Sequence, residues 1–175
     1  MFVGNGAHAA DIKLLARLGI TAVLNAAPSV CKDPEALYKK HGIAYAKVDA
    51  QDDRTFRLLD KCLAPASVFI SDMHAQGRAV LVHCMAGVNR SATLALAHLL
   101  KRDRRCLFQV AAECIAARPC ILQNPSFQLQ LCELAASEGL LYLPVTPNAT
   151  GASDGSGTAS RGACEVSTSV VELST

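Results

Sequence analysis

The stretch Val80-Leu81-Val82-His83-Cys84-Met85-Ala86-Gly87-Val88-Asn89-Arg90-Ser91 decides how the rest of the chain is interpreted. Its first part continues a short, all-apolar run from Ala79, which predicts a strand that is buried on both faces. The Ala- and Leu-rich run that begins at Ser91 predicts a helix. Residues 83–90 should therefore form a tight turn from a buried strand into a helix, and this turn contains a cysteine and an arginine.

A turn of this kind is suited to binding an anion. Its backbone N–H groups can converge, the helix adds its positive N-terminal end, and Gly87 permits the required backbone angles. Arg90 can hold two phosphate oxygens through its planar guanidinium group. The same positive field stabilises Cys84 as a thiolate, which is a nucleophile at neutral pH. We therefore predict that Cys84 attacks phosphorus, that Arg90 and the loop amides stabilise the transferring oxygens, and that Ser91 assists departure of the sulfur.

Strand and helix signals alternate along the first hundred residues. The predicted strands are short and apolar: 2–3, 20–24, 43–48 and 79–82. The predicted helices cover residues 7–18, 33–42 with Asp33 as N-cap, 55–76 with a kink or break at Pro65, 91–101, 107–117 and 126–138. This order predicts an α/β fold with a central, mostly parallel sheet of about five strands flanked by helices on both faces.

Length and composition indicate one catalytic domain. The chain has 175 residues, of which 51% are hydrophobic and 18% charged, so it can bury a proper core but hardly two. After Pro144 the composition changes to Thr, Ser, Gly and Ala with almost no large apolar side chains. We predict a domain over residues 1–143 and a disordered C-terminal tail over 144–175.

Several classes of protein are disfavoured. The net charge is only +2 and no basic run is present, so a nucleic acid is not the expected partner. No apolar run approaches the roughly 18 residues needed to cross a bilayer. The eight cysteines form no C-x-x-C pair, and His8, His41, His74 and His98 have no neighbours at metal spacing, so we expect no metal and no cofactor. Free thiols and the lack of a signal sequence favour a cytoplasmic protein, with the nucleus as a second location.

The pattern H-C-x-x-G-x-x-R-S at residues 83–91 resembles the signature loop of the dual-specificity protein phosphatases, within the cysteine-based protein tyrosine phosphatase superfamily. Other blocks resemble the family in the family's order and extend the likeness over about residues 1–143. They are Phe2-Val3-Gly4-Asn5, Leu18-Gly19-Ile20-Thr21, Val23-Leu24-Asn25-Ala26-Ala27, Val48-x-Ala50-x-Asp52, and Ala117-Arg118-Pro119 with Asn124 and Phe127. The small atypical members, which lack a kinase-docking domain, are the most similar.

The resemblance implies a protein tyrosine phosphatase-like fold and hydrolysis of phosphotyrosine, phosphoserine and phosphothreonine through a phosphocysteine intermediate. It assigns the general acid to Asp52, although a register shifted by one residue would assign Asp53. The implied catalytic residues are thus Cys84, Arg90, Asp52 and Ser91, the implied phosphate-binding residues are Met85, Ala86, Gly87, Val88, Asn89 and Arg90, and the implied supporting residues are His83 and Asn124. The expected partner is a phosphoprotein, a protein kinase being one such substrate, and the expected state is a monomer.

The sequence departs from the family's pattern at two places, and two alternative functions remain open. Asn89 stands where the family often has Ser, and Gln123-Asn124 replaces a usual Pro-Asn pair. One alternative is the same chemistry on a phosphoinositide, an RNA 5′-phosphate or a phosphorylated glucan. The loop is neutral apart from Arg90, which favours a single phosphate on a protein side chain. The other alternative is a phosphoprotein-binding scaffold, which has no use for a nucleophile such as Cys84.

Overall fold

The computed structural model describes residues 1–141 and 171–172. Its strands are β1 (Phe2–Gly4), β2 (Ile20–Asn25), β3 (Ala44–Lys47), β4 (Ala79–His83) and β5 (Val171–Glu172). Its helices are α1 (Gly6–Ala10), α2 (Ile12–Arg17), α3 (Glu35–Lys40), α4 (Leu58–Ala75), α5 (Arg90–Asp103), α6 (Leu107–Ala117) and α7 (Pro125–Ser137). Apart from β5, the predicted tail lies outside the described residues.

The strands form one sheet in the order β3-β2-β4-β1-β5, and every neighbouring pair is parallel. Residues 1–141 supply four strands, not the five or so that we predicted for the catalytic domain; the two residues of β5 only extend the edge beside β1. Strand β4 lies between β1 and β2. Because parallel strands run in the same direction, the loops that follow β1, β2, β3 and β4 all leave the sheet at its carboxyl edge.

Alternate side chains of the central strands enter two separate cores. Val80 and Val82 of β4 belong to the larger core together with Leu24 of β2, whereas Leu81 and Val23 belong to the smaller one. Successive strand residues point to opposite faces, so the sheet is covered on both sides. Helices α4, α5, α6 and α7 contribute to the larger core, and α1, α2 and α3 contribute to the smaller one. The predicted two-sided, parallel α/β architecture is confirmed.

Helix α5 is the most enclosed helix of the described chain, and it directly follows the signature loop. Every residue from 90 to 100 is buried, because α5 packs against β1, β4, α4, α6 and α7. Small and branched aliphatic side chains such as Ala and Leu let it fit among these neighbours. The position of its N-terminus is therefore determined by the core.

Two helices differ from the prediction. The stretch predicted as one helix over residues 7–18 is divided at Asp11, whose backbone angles are not helical and whose carboxylate accepts the N–H of Leu14 at 3.0 Å as the cap of α2. Pro65, by contrast, neither ends nor divides α4, which is continuous over 18 residues. No helix in the described residues is both long and apolar enough to cross a membrane.

Candidate active site

Cys84 is the first residue after β4, and its surroundings hold the sulfur in a buried position. The residue is only 1% exposed. Ser91, in the first turn of α5, donates its hydroxyl hydrogen to the Cys84 sulfur at 3.3 Å. A hydroxyl in this position stabilises negative charge on the sulfur. The strand and the helix thus bring together the predicted nucleophile and the predicted assisting hydroxyl.

Gly87 allows the loop between β4 and α5 to lie directly against the end of β1. Its φ is +70°, and a Cβ atom there would lie 2.5 Å from the carbonyl oxygen of Gly4. The N–H of Gly6 also donates to the carbonyl oxygen of Met85 at 3.2 Å. Both the backbone angle and the lack of space require glycine at position 87.

Three loop carbonyls are hydrogen-bonded from outside the loop. Besides the carbonyl of Met85, that of Gly87 accepts from Arg118 Nε at 3.0 Å, and that of Val88 accepts from the N–H of Leu122 at 2.9 Å. In a planar trans peptide the N–H of the next residue points opposite to the carbonyl. The N–H groups of residues 86, 88 and 89 therefore point toward the interior of the loop, which makes this loop an anion-binding nest.

Arg90 directly follows this loop, and its buried Nε–H has no hydrogen-bond partner among the described residues. The residue is 8% exposed and donates from one terminal nitrogen to the carbonyl oxygen of Ala50 at 3.3 Å. The Nε atom lies 4.0 Å from Asp52 Oδ2. A buried guanidinium N–H without a partner is uncommon, and an oxyanion bound in the loop would supply one.

Asp52 is held over the loop by side-chain amides. Asn89 Nδ2 donates to its two carboxylate oxygens at 3.2 and 3.1 Å, and Asn124 Nδ2 donates to one of them at 3.0 Å. Asn89 and Asn124 come from the loop and from the segment before α7, respectively. Asp52, which follows β3, is thereby brought next to Arg90 although the two are distant in sequence.

Asp53 has a different environment. It is exposed, and its carboxylate accepts hydrogen bonds from the backbone N–H and the hydroxyl of Thr55, which hold the pKa of Asp53 below its ordinary value. These bonds close a local turn of the Asx type. Of the two adjacent carboxylates, only Asp52 is hydrogen-bonded, in the part of the chain that the structure describes, to the loop between β4 and α5.

His83 is supported from below the loop by Asp33. Its Nε2 lies 2.8 Å from Asp33 Oδ2, and both side chains are at most 1% exposed. Asp33 was predicted to cap helix α3, which instead begins at Glu35 without a side-chain cap. A buried imidazole needs a partner, and here that requirement outweighs the capping preference of the Asp-Pro sequence. Asp33 is the supporting residue that the sequence did not reveal.

Cys31 lies beside the same pair. Its sulfur, the Asp33 carboxylate and a ring nitrogen of His83 fall within 4.8 Å of one another, the one such group of three metal-binding side chains in the described part of the chain. Nε2 of His83 is hydrogen-bonded to the Asp33 carboxylate within this group, at 2.8 Å. Burial, and then the charges on Asp33 and Cys84, raise the pKa of the Cys31 thiol.

The remaining predicted loop residues lie around the mouth of the nest. Met85 is 55% exposed and Ala86 is also exposed, while Val88 is half-buried. Met85, Ala86 and Val88 therefore contribute apolar side chains without charge to the surface of the loop. Among the predicted site residues, Cys84 is joined to Ser91 by one contact, and a second set of contacts joins Asp52, Asn89, Arg90 and Asn124.

A central parallel strand, a glycine-containing anion nest and an arginine at the start of a buried helix define the catalytic-domain architecture of the cysteine-based phosphatases. Residues 1–137 match the family described as "Dual specificity phosphatase, catalytic domain". The chain belongs to this family.

Relatives with known names agree with this membership. The chain is 35% identical over 134 residues to dual specificity protein phosphatase 26 of Bos taurus, and the match covers 77% of this chain and 63% of that protein. It is 38% identical over 131 residues to dual specificity protein phosphatase 21 of Homo sapiens, covering 75% of this chain and 66% of that protein. The chain thus spans slightly less than two thirds of these two relatives.

Solved structures are similar as well. The crystal structure of human DUSP28 superposes with a TM-score of 0.68 at 28% identity, covering 78% of this chain and 91% of that one. The crystal structure of DUSP15 gives a TM-score of 0.68 at 27% identity, covering 79% and 85% of the two chains.

Proposed function

We propose that this protein is a protein phosphatase that hydrolyses phosphotyrosine, phosphoserine and phosphothreonine through a phosphocysteine intermediate. The observation that carries the proposal is the loop after β4. Its outward-bonded carbonyls direct N–H groups inward, and Arg90, the first residue of α5, has a buried N–H without a hydrogen-bond partner among the described residues. The family membership and the named relatives support the same activity.

In the first step the Cys84 thiolate attacks phosphorus, and the bond from phosphorus to the leaving oxygen breaks. The inward amides and Arg90 stabilise the charge on the three non-bridging oxygens. Asp52 supplies the proton that the leaving oxygen takes, so the product departs as an alcohol or a phenol. The hydrogen bonds between Asp52 and Asn89, a residue of the loop after β4, support this role.

In the second step water attacks the phosphorus of the phosphocysteine. Asp52, now a carboxylate, accepts a proton from that water, and the sulfur leaves as a thiolate. The Ser91 hydroxyl, 3.3 Å from the sulfur, stabilises this leaving thiolate. Phosphate is released and both Cys84 and Asp52 return to their starting forms.

The substrate we propose is a phosphoprotein, a protein kinase being one such protein, in the cytoplasm and the nucleus, with the phosphatase acting as a monomer. The exposed Met85 and Ala86 give the loop an apolar rim, and none of its variable side chains is basic. Such a rim suits a single phosphate on a side chain better than an inositol ring or a nucleic acid with several phosphates.

The test is hydrolysis of an aryl phosphate and of phosphotyrosine and phosphothreonine peptides in the presence of a metal chelator. Cys84→Ser should show no steady-state turnover yet retain binding of a phosphopeptide, because the hydroxyl is a far weaker nucleophile while the loop is unchanged. Arg90→Lys should be severely impaired, since an ammonium group cannot hold two oxygens in one plane.

Arg17→Lys, on the exposed side of α2, is the matched control and should retain full activity. Turnover by the Cys84→Ser variant would contradict the mechanism. Binding of phosphopeptides without any turnover by the unmodified protein would instead identify a scaffold, and activity restricted to glucan, RNA or inositol phosphates would move the substrate to those classes.

A further inference from the structure

We propose that Asn89 is a positioning residue that ties the proton donor Asp52 to the phosphate-binding loop. The inference rests on the proposed phosphatase activity and deepens it. It concerns a residue type at which this chain departs from the family's usual serine, and its basis is a set of four hydrogen bonds made by one half-buried side chain.

The Asn89 amide is engaged at both of its ends. Nδ2 donates to the two oxygens of Asp52 at 3.2 and 3.1 Å. Oδ1 accepts the backbone N–H groups of Gln123 and Asn124 at 2.8 and 3.0 Å. These bonds use both lone pairs of the oxygen and orient the amide so that its nitrogen faces Asp52. One side chain in the phosphate loop thus connects the loop after β3 to the segment before α7.

Asn124 makes a second hydrogen bond to Asp52, but its side chain is held by a different element of the fold. Its Nδ2 donates to Asp52 at 3.0 Å, while its Oδ1 accepts the N–H of Ser126 and caps α7. Asn124 is therefore held by helix α7, and among the described residues only Asn89 connects Asp52 by a hydrogen bond to the loop after β4. A serine hydroxyl at position 89 has one hydrogen to donate and a shorter reach, so it could not make all four bonds.

This connection matters because the proton must move from Asp52 to an oxygen of the phosphate that the loop holds. Attaching the donor to the same loop keeps the two reacting atoms at a fixed separation, and a misplacement of about 1 Å can cost about 10²-fold in rate. Since Nδ2 lies within hydrogen-bond distance of both carboxylate oxygens, one oxygen can stay anchored while the other carries the proton.

A comparison of two substrates with the same phosphate and different leaving groups tests the inference. Nitrophenyl phosphate has a good leaving group and needs little proton donation, whereas phenyl phosphate needs much more. We expect Asn89→Ala to lower kcat for phenyl phosphate by at least about 10-fold more than for nitrophenyl phosphate, with little change in KM. Gln123→Ala removes an exposed side chain whose backbone N–H remains in place, and it is the control expected to change neither.

A double-mutant cycle distinguishes action through Asp52 from a general disturbance of the loop. In a protein that already carries Asp52→Ala, adding Asn89→Ala should cause no further selective loss for phenyl phosphate. Asn89→Ser serves as a second variant, because serine is the family's usual residue here and its shorter hydroxyl cannot keep the four bonds that Asn89 makes. It should show the same selective loss in kcat even if the alanine variant folds poorly.

Equal losses on the two substrates, or independent losses that add in the double variant, would overturn the role of Asn89 while leaving the phosphatase activity in place. If the unmodified protein hydrolyses neither substrate, the proposed function fails first, and the role of Asn89 fails with it. A selective loss that disappears in the Asp52→Ala background establishes the positioning role.

Discussion

At the scale of single residues, two adjacent carboxylates have opposite environments. Asp52 accepts amide hydrogens from Asn89 and Asn124 beside Arg90, while Asp53 is exposed and closes a turn with Thr55. The likeness in sequence favoured Asp52, but a shift of one position would have chosen Asp53. The contacts favour the proposal of Asp52, because of these two carboxylates only Asp52 is hydrogen-bonded to the loop after β4 within the described structure.

Substitution of each carboxylate should separate their roles. We expect Asp52→Asn to slow hydrolysis of phenyl phosphate by about 10² to 10⁴, to slow nitrophenyl phosphate less, and to flatten the alkaline limb of the pH–rate profile, because the group that must be protonated is gone. Asp53→Asn should leave kcat within about twofold of the parent, since no step uses it. The reverse pattern in steady-state kinetics would assign the general acid to Asp53.

The thiolate of Cys84 should also determine how the protein responds to oxidation. Dilute peroxide should inactivate the enzyme, bound vanadate or phosphate should protect it, and a thiol reductant should restore activity when oxidation has stopped at the sulfenic acid or a disulfide. The Cys31 sulfur lies within 4.8 Å of a ring nitrogen of His83, the residue before Cys84, so Cys31 is the disulfide partner that we expect among the described cysteines. Peptide mapping without reductant would identify the pair, and full activity after prolonged peroxide would contradict a reactive thiolate.

Asn89 and Asp33 show most clearly which contacts of the site could not be predicted from the sequence. The order of Cys84, Gly87 and Arg90 lies within one short segment, so local chemistry predicts their proximity. The contacts of Asn89 join residues that are 37, 34 and 35 positions apart, and no local pattern contains that information. From its local sequence, Asp33 was a reasonable candidate for a helix N-cap. That His83 is buried and needs a hydrogen-bond partner could be known only from the fold.

At the scale of elements, the loop after β4 depends on its contact with β1. Gly87 lies against the backbone of Gly4 with no room for a side chain, and Gly6 adds a hydrogen bond to the same loop. Gly77 has the same φ of +70° but no atom within 4 Å of an added Cβ. Both glycines therefore need a left-handed backbone conformation, but only Gly77 has room for a side chain.

This difference gives a matched pair of variants. Gly77→Ala should cost only the left-handed backbone penalty of about 1–2 kcal/mol in the free energy of unfolding and should leave kcat unchanged. Gly87→Ala must in addition displace the loop from Gly4, so it should abolish turnover and weaken vanadate binding. Urea denaturation and vanadate titration measure the two effects. A Gly87→Ala protein with normal turnover would show that the loop does not need this close approach.

Strands and helices whose apolar residues lie on one side or are fully buried were predicted well. The points at which a helix is interrupted were predicted poorly. The strand before Cys84 and the helix α6 (Leu107–Ala117) follow from their apolar spacing. Pro65 was expected to disturb α4, yet it lies on an exposed position of a helix that packs along its other side against α5, β4 and α7. Water can satisfy the carbonyl that Pro65 leaves unpaired, and packing of the long helix outweighs the local cost.

At the scale of the whole molecule, one buried histidine links folding to pH. His98 on α5 is 3% exposed, and its Nε2 has no hydrogen-bond partner among the described residues. Burial first, and then the charges on Arg102 and His74, lower the pKa of His98 from 6.5 to about 4, with Asp103 acting in the opposite direction. The folded protein therefore holds this imidazole neutral over a range in which the unfolded chain protonates it.

The sign of the pH effect follows from proton uptake. Between pH 6.5 and 4 the unfolded state binds the proton and the folded state does not, so stability should fall as the pH is lowered through this window, by about 3 kcal/mol at most from His98. His98→Leu should reduce this loss. As the pH is lowered below 6.5, the urea midpoint should fall less for His98→Leu than for the unmodified protein. Curves of midpoint against pH that run parallel from pH 7 to 4 would contradict this prediction.

The close packing of the phosphate loop on the end of β1 also has a thermodynamic consequence. Gly4 and Gly87 belong to distant parts of the chain, so the nest exists only when the sheet has assembled around them. An oxyanion that binds this nest then binds the folded state alone, and mass action must couple occupancy to folding. At 100 times its Kd such a ligand adds about 2.7 kcal/mol to the free energy of unfolding. Substrate and product analogues should accordingly act as chemical chaperones for the entire domain, including helices that they never touch.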